Sequence, residues 1–309
     1  MLTVDLAEPP KAAPLGVVVA FGELGSPGAE HWLQQATFTL VEGDCADRRT
    51  VSVDSIPAAL EQLEARVARW PQAAAVCDDV LRSVEPEGHA FPGIITESLA
   101  YSTLQSGPEF ARWLAERGPK MTPVLPDPVI VERAEDDLVV RLNRPSRHNA
   151  FSTDMRAALL EALTIAFLDP SVSGVVLSGN GRSFCSGGDL AEFGSFEDPA
   201  SAHLARTRHS PALALDALTA RFRDGCRAEV HGQVLGSGLE MAAFCGHVTC
   251  APDAVLGLPE LQLGLIPGAG GTVSITRRIG RWRTAYLVLS GQNIDPATAL
   301  EWGLVDAIR

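Results

Sequence analysis

Two carboxylates stand beside glycine turns in the stretch from Val230 to Thr272, VHGQVLGSGLEMAAFCGHVTCAPDAVLGLPELQLGLIPGAGGT. Glu240 follows Gly236-Ser237-Gly238, and Glu260 precedes Leu261-Gln262-Leu263-Gly264. Glu240 is the single acid in its run, with Leu239, Met241, Ala242 and Ala243 around it. A charged, unpaired carboxylate among apolar side chains is disfavoured by on the order of several kcal/mol. Burial raises its pKa toward neutrality, which suits a group that must take up and release a proton. Either acid taken alone is accounted for as well by capping a turn or pairing with a nearby Arg.

A further glycine-bearing loop, Gly179-Asn180-Gly181-Arg182-Ser183-Phe184-Cys185-Ser186-Gly187-Gly188-Asp189-Leu190, follows the apolar run Val175-Val176-Leu177. No Lys-Ser or Lys-Thr follows its glycines, so it is not a Walker A loop, and it is not a G-x-G-x-x-G fingerprint. Glycines beside Ser186 let a ligand approach the backbone closely and leave N–H groups to bind an oxygen. A turn before a helix capped by Asp189 explains the same residues. Gly236-Ser237-Gly238 opens a predicted helix, where N–H groups favour negative charge. One N–H from each loop could therefore form an oxyanion hole. Ser186, His231 and Asp189 can also be drawn as a triad, though nothing in their spacing favours it. Cys185 reads as a packed thiol rather than a nucleophile.

The elements that must position these residues begin after a lead over residues 1–14, which reads as flexible and proline-containing. Residues 15–21 form an apolar strand closed by Gly22, and 36–41 and 50–53 are candidate short strands. Ile56, Leu60, Leu63, Val67 and Trp70 recur at helical spacing, with Ser55 as N-cap and Pro57 in the first turn. Further helices are predicted over 72–84 and over 96–116, the latter interrupted at Gly107-Pro108. These make residues 15–117 an N-terminal α/β segment with a helical module. Pro119, Pro123, Pro126 and Pro128 mark a linker over 118–128, with the boundary near Leu125. Strands at 129–132, 138–142 and 174–178 then alternate with a helix over 152–167, the pattern of an α/β fold.

The 309 residues suffice for one large domain or two modest ones, and 46% hydrophobic with 20% charged residues is ordinary for a globular chain. A net charge of -13 argues against nucleic acid or an anionic membrane as a partner. The six cysteines make no C-x-x-C pair and follow no zinc spacing with the seven histidines, so free thiols in a reducing cytoplasm are expected and no metal is implied. Asp5 and Glu8 before Pro9-Pro10 do not make a signal peptide, and the apolar run at 15–21 is far short of the roughly 20 residues that span a bilayer.

Several ordered motifs resemble the crotonase (enoyl-CoA hydratase/isomerase) superfamily over residues 129–309. They are Leu142-Asn143-Arg144-Pro145 with Asn149-Ala150, the Ser183 to Asp189 loop, Val230-His231-Gly232, and Gly236-Ser237-Gly238-Leu239-Glu240. Gly257-Leu258-Pro259-Glu260 and the run from Gly264 to Thr272 complete the set. The resemblance implies a repeated ββα spiral core, an acyl-CoA substrate with coenzyme A as part of it, and no separate cofactor. It implies Ser186 N–H and Ser237 N–H as the oxyanion hole for a thioester enolate, and Glu240 and Glu260 as the acid/base pair that hydrates an α,β-unsaturated acyl-CoA. Arg147, His148, Ala150, Gly187, Gly188 and Asp189 lie where the family contacts coenzyme A. A homotrimer or hexamer is implied in the same way. Double-bond isomerisation or ring chemistry on a specialised acyl-CoA, and a non-catalytic acyl-CoA binding or assembly subunit, are the rival readings.

The chain departs from the family at Ser237, where glycine is more usual, and at Gly246, where relatives often carry Asp. It stops at Arg309, where relatives continue into helices that close the acyl site. Residues 56–82 and 93–117 resemble those helices, which suggests a circularly permuted arrangement. The alternative is an unrelated N-terminal domain on a truncated core. Arg277, Arg278, Arg281 and Arg283 read either as a solvated helix face or as an aid to coenzyme A phosphates.

Overall fold

The computed structural model describes residues 1–12, 15–121, 126–196 and 198–309. The chain opens with a four-stranded parallel sheet, β1 (Leu2–Asp5), β2 (Val18–Phe21), β3 (Phe38–Val41) and β4 (Thr50–Ser52), in that spatial order, with α1 (Ala29–Gln35) between β2 and β3. β2 and β3 are apolar nearly throughout because both faces of a parallel sheet are covered. The lead predicted over residues 1–14 is thus corrected in part. Leu2 to Asp5 pair with Val18 to Phe21, and Val4 and Leu6 are buried beside Trp32. A four-residue strand is too short for its alternation to stand out in sequence.

Four helices follow: α2 (Ile56–Arg69), α3 (Pro71–Ser83), α4 (Ala90–Gln105) and α5 (Pro108–Arg117). Ser55 Oγ caps α2 through Ala58 N–H, and Leu63 and Val67 face inward, as the spacing predicts. α4 begins six residues before the predicted start at Thr96. Pro92 sits within its first turn, where no intrahelical N–H is required. The side chain of Glu109 reaches back from α5 and accepts from Gln72 N–H (2.8 Å) and Ala73 N–H (3.0 Å), closing the start of α3. The domain boundary expected near Leu125 falls outside the described residues.

The second half contains β5 (Val129–Ala134), β6 (Asp137–Leu142), α6 (Thr153–Leu168), β7 (Gly174–Gly179), α7 (Pro199–Arg208), α8 (Pro211–Phe222), β8 (Cys226–Val230), β9 (Gln233–Leu235) and α9 (Ser237–Ala242). It continues through β10 (His247–Cys250), β11 (Val255–Gly257), a 3-10 turn (Glu260–Leu263), α10 (Gly271–Ser290), α11 (Pro296–Trp302) and β12 (Ala307–Ile308). One sheet runs β12-β10-β8-β7-β6-β5 and a second pairs β11 with β9. Successive strands alternate between the two: β8 enters the first and β9 the second, then β10 and β11 repeat the step. This is the spiral of ββα units that the family resemblance implies.

The smaller ladder brings the site together. β9 and β11 lie parallel with Val234 opposite Leu256 and Leu235 opposite Gly257. On its other side Val234 bridges Cys185. Three chain segments therefore leave this ladder side by side, carrying Ser186 to Asp189, Gly236 to Glu240, and Leu258 to Glu260.

The arginines of α10 neither face solvent nor reach the ladder. Arg277 binds Asp216 and the Gly88 carbonyl, and Arg278 binds the Ala243 and Cys245 carbonyls and Asp306. Arg281 donates to the Ala36 and Gln34 carbonyls and Arg283 to the Thr50 carbonyl. The helix binds the first sheet to the spiral, so both sequence readings of these arginines are corrected. Arg66 of α2 adds a bond to the Leu289 carbonyl, 3.1 Å.

Candidate active site

A cavity of about 330 Å3 opens where the three segments leave the ladder. Glu240, Glu260, Ser186, Gly187, Gly188, Asp189 and Ser237 all line it, as do Glu97 and Tyr101 of α4. Glu240 projects from α9, and its Oε2 accepts from Ala269 N–H (2.7 Å) and Gly271 N–H (2.8 Å). These amides belong to the loop that starts α10. Gly271 must lack a side chain, since a Cβ there would stand 2.5 Å from Glu240 Cγ.

Glu260 stands over the backbone of Gly236, where a Cβ would come within 2.5 Å of its Oε1 and φ is +48°. Its other oxygen, Oε2, is buried and has no hydrogen-bond partner among the described residues. Burial pushes the Glu260 carboxyl up to about 8, with the charge of Glu97 adding to it. Burial also pushes Glu240 well above the usual carboxylate range. The charges of Glu260 and Glu97 act in the same direction, and the Ala269 and Gly271 amides work against it. The two acids therefore titrate as a pair that gives up its second proton reluctantly.

Glu97 is a third buried acid at the same place. Its Oε1 accepts from Gly270 N–H (2.7 Å), and its Oε2 from Thr272 N–H (2.9 Å) and Thr272 Oγ1 (2.7 Å). Burial raises it to about 7 despite these donors. Sequence reading placed Glu97 in a helix but gave it no site role. The signal available was the one used for Glu240, an acid within an apolar helical run, here Ile94, Ile95, Leu99 and Ala100.

The backbone donors differ from expectation. Ser186 N–H already donates to the His148 carbonyl at 3.0 Å, which corrects its reading as an oxyanion donor. Two residues on, Phe151 N–H donates to the Gly187 carbonyl (2.8 Å) and Asp189 N–H to the Phe151 carbonyl (2.9 Å). Gly188 bridges Phe151, and the alternation of backbone groups turns its own N–H to the opposite side, where no backbone acceptor among the described residues meets it. Ser237 is the first residue of α9, so its N–H has no intrahelical acceptor, and its Oγ is buried without a partner among the described residues.

Of the positions grouped with coenzyme A, Gly187, Gly188 and Asp189 line the cavity, whereas Arg147, His148 and Ala150 lie outside it. Asp189 is held between Arg144 (3.0 Å) and Arg147 (2.9 Å). Burial opposes its ionisation, but the Ala191 amide and the two guanidinium groups outweigh that and hold it below the usual range. Its carboxylate thus fixes the loop and is not offered to a ligand. The Ala150 carbonyl is taken by Arg144, and the His148 ring meets Ser183 Oγ at 2.9 Å. His231 contacts the Gly181 carbonyl, so Ser186, His231 and Asp189 form no triad. Cys185 is buried, and that burial pushes its thiol up to about 12, as suits packing.

Residues 133–309 match the family model described as enoyl-CoA hydratase/isomerase. The chain belongs to the enoyl-CoA hydratase/isomerase family. It is 37% identical over 180 residues to the 2,3-dehydroadipyl-CoA hydratase of Escherichia coli K12, covering 58% of this chain and 68% of that one. A probable enoyl-CoA hydratase of Mycobacterium leprae is 32% identical over 184 residues, 59% of this chain and 68% of the relative. Among solved structures, an enoyl-CoA hydratase from Thermoplasma volcanium superposes with a TM-score of 0.51 at 32% identity, covering 59% of this chain and 71% of that one. A putative enoyl-CoA hydratase from Rhodopseudomonas palustris gives 0.54 at 29%, covering 62% and 71%. This family member is a mixed α/β protein with the crotonase fold, and no helix among its described residues is long and apolar enough to cross a membrane.

Proposed function

We propose that this chain adds water across the α,β double bond of an acyl-CoA thioester. The observation that carries the reading is that two buried carboxyl groups and two backbone N–H groups without acceptors face one cavity. Gly188 N–H and Ser237 N–H receive the thioester oxygen as it gains charge. One such donor typically contributes about 2.7–4 kcal/mol to lowering the barrier. Glu240, raised by burial but with the Ala269 and Gly271 amides favouring its anion, takes a proton from water in its ionised form, and the hydroxyl adds to the β-carbon. Glu260, with no donor at its buried Oε2, holds its proton at neutral pH and delivers it to the α-carbon. The sum is one water added, with the pair's protons exchanged once.

Mixing the protein with short-chain enoyl-CoA substrates and following the conjugated thioester absorbance tests the reading. Loss of absorbance with a 3-hydroxyacyl product supports it. A shifted double bond would assign isomerisation instead, and tight binding without turnover would assign a binding subunit.

The same reading extends to residues 56–117. Their helices wall the cavity through Glu97 and Tyr101 and contact the turn after Glu260, where Gly264 lies against Glu109 and Phe110. These contacts support the circularly permuted arrangement, in which α2 to α5 stand where relatives place helices beyond the core.

A further inference from the structure

Arg156 and Arg206 line the same cavity from the α6 and α7 wall, opposite in kind to the amides of the ladder. Arg156 is half-buried on the first turns of α6, and its guanidinium has no hydrogen bond or ion pair among the described residues. Arg206 donates to Ser98 Oγ (3.2 Å), the Ser98 carbonyl (3.2 Å), Gln105 Oε1 (2.9 Å) and Ser102 Oγ, and stacks over Tyr101 with 4.5 Å to the ring centre. All of these partners are neutral.

Burial lowers the basicity of both groups; the charge of Glu192 opposes this at Arg156, and Tyr101 and the charge of Glu97 oppose it at Arg206, where the charge of Arg156 adds to it. None of the carboxylates around them makes an ion pair with either guanidinium among the described residues. Glu192 accepts from Thr153 N–H (2.8 Å) and Thr153 Oγ1 (2.9 Å), and Asp189 is shared between Arg144 and Arg147. Glu97 is held by Gly270 and Thr272, and Glu240 by Ala269 and Gly271. Glu260 faces the ladder backbone at Gly236. His209 completes the basic lining. Two guanidinium groups line one cavity with neither in an ion pair among the described residues, and planar guanidinium suits a carboxylate in particular.

We propose that the cavity takes acyl thioesters whose chain ends in a carboxylate, with Arg156 and Arg206 holding that distal anion. The inference rests on the acyl-thioester reading of the cavity given above. It sets the substrate class through the wall of α6 and α7 rather than through the reacting groups.

Adipyl-CoA and hexanoyl-CoA, which share a carbon count and cannot be hydrated, separate this inference from the reaction. Calorimetric titration of the full chain should show adipyl-CoA bound roughly tenfold or more tightly than hexanoyl-CoA. Arg156→Met, which removes a side chain with no internal partner, should bring that ratio close to one. Arg206→Lys should reduce it while keeping a charge between α4 and α7. Equal affinity of the wild-type protein for the two ligands overturns the inference. So does a loss in Arg156→Met that falls equally on adipyl-CoA, hexanoyl-CoA and free coenzyme A, which would assign the cations to the coenzyme's phosphates. Failure to bind either thioester would remove the acyl-thioester reading itself, whereas binding without discrimination removes only the anionic tail.

Discussion

Glu97 and Glu240 divide between them the amides at the start of α10: Glu240 takes Ala269 N–H and Gly271 N–H, and Glu97 takes Gly270 N–H and Thr272 N–H. Three donors that a helix start leaves without partners, and the Ala269 N–H just before them, are thereby satisfied by two acids from the two halves of the chain. The negative charge also meets the positive end of the helix dipole. Glu97 thus acts on Glu240 through a shared loop.

Glu97→Gln should lower kcat by about one to two orders of magnitude without abolishing binding. It should also cost about 1–3 kcal/mol of stability, since the amide nitrogen cannot accept the bond it replaces. Removing the Glu97 charge removes one cause of the raised Glu240 pKa, so the acidic limb of the pH–rate profile should move to lower pH. An unmoved limb with a proportionate loss of folded protein would reduce Glu97 to a structural cap.

Glu240→Gln and Glu260→Gln should each lower hydration by roughly 10²–10⁴-fold while leaving the affinity for a saturated acyl-CoA within a few fold. Stopped-flow absorbance and calorimetry on the same preparations check this. Retention of rate in either variant would remove that acid from the proposed chemistry.

Stability should fall as pH rises from about 4.5 to about 8. In this window the unfolded chain releases the protons of Glu97 and Glu260, while the folded chain retains them up to about 7 and about 8. The unfolded state then binds fewer protons, and the slope of unfolding free energy with pH is negative. Thermal melts at intervals across this range should show the decline, and Glu260→Gln should flatten it. Asp189 works the other way, its contribution being lost as pH falls through its depressed value.

Gly271→Ala places a methyl carbon 2.5 Å from Glu240 Cγ. It should destabilise the protein by about 1–3 kcal/mol, despite alanine's better helix propensity, because the carboxylate must shift. Activity should fall further than the loss of folded material explains, as chemical denaturation and kcat on the same samples would show.

The alternation of strands and helices in the second half was legible because its signals are local, whereas the ββα spiral and the pairing of Glu240 with Glu260 entered through the family resemblance. Glycine turns, apolar strands and helix caps lie within a few residues of each other, and Glu240 and Glu260 follow strands that the fold sets side by side. The helix at 56–69 was visible for the same reason, its apolar spacing, the Ser55 cap and Pro57 in its first turn being short-range signals.

Only the tertiary structure decided which polar groups were still available. Ser186 and Gly188 offer the same amide in sequence, yet the His148 carbonyl occupies one and leaves the other. Glu97 reaches amides 173 and 175 residues away, and Arg281 and Arg283 of α10 end on the carbonyls of Ala36 and Thr50 in the first half of the chain. Periodicity records which face of an element is buried. Whether a buried donor or charge already has a partner depends on segments that meet only when the chain has folded.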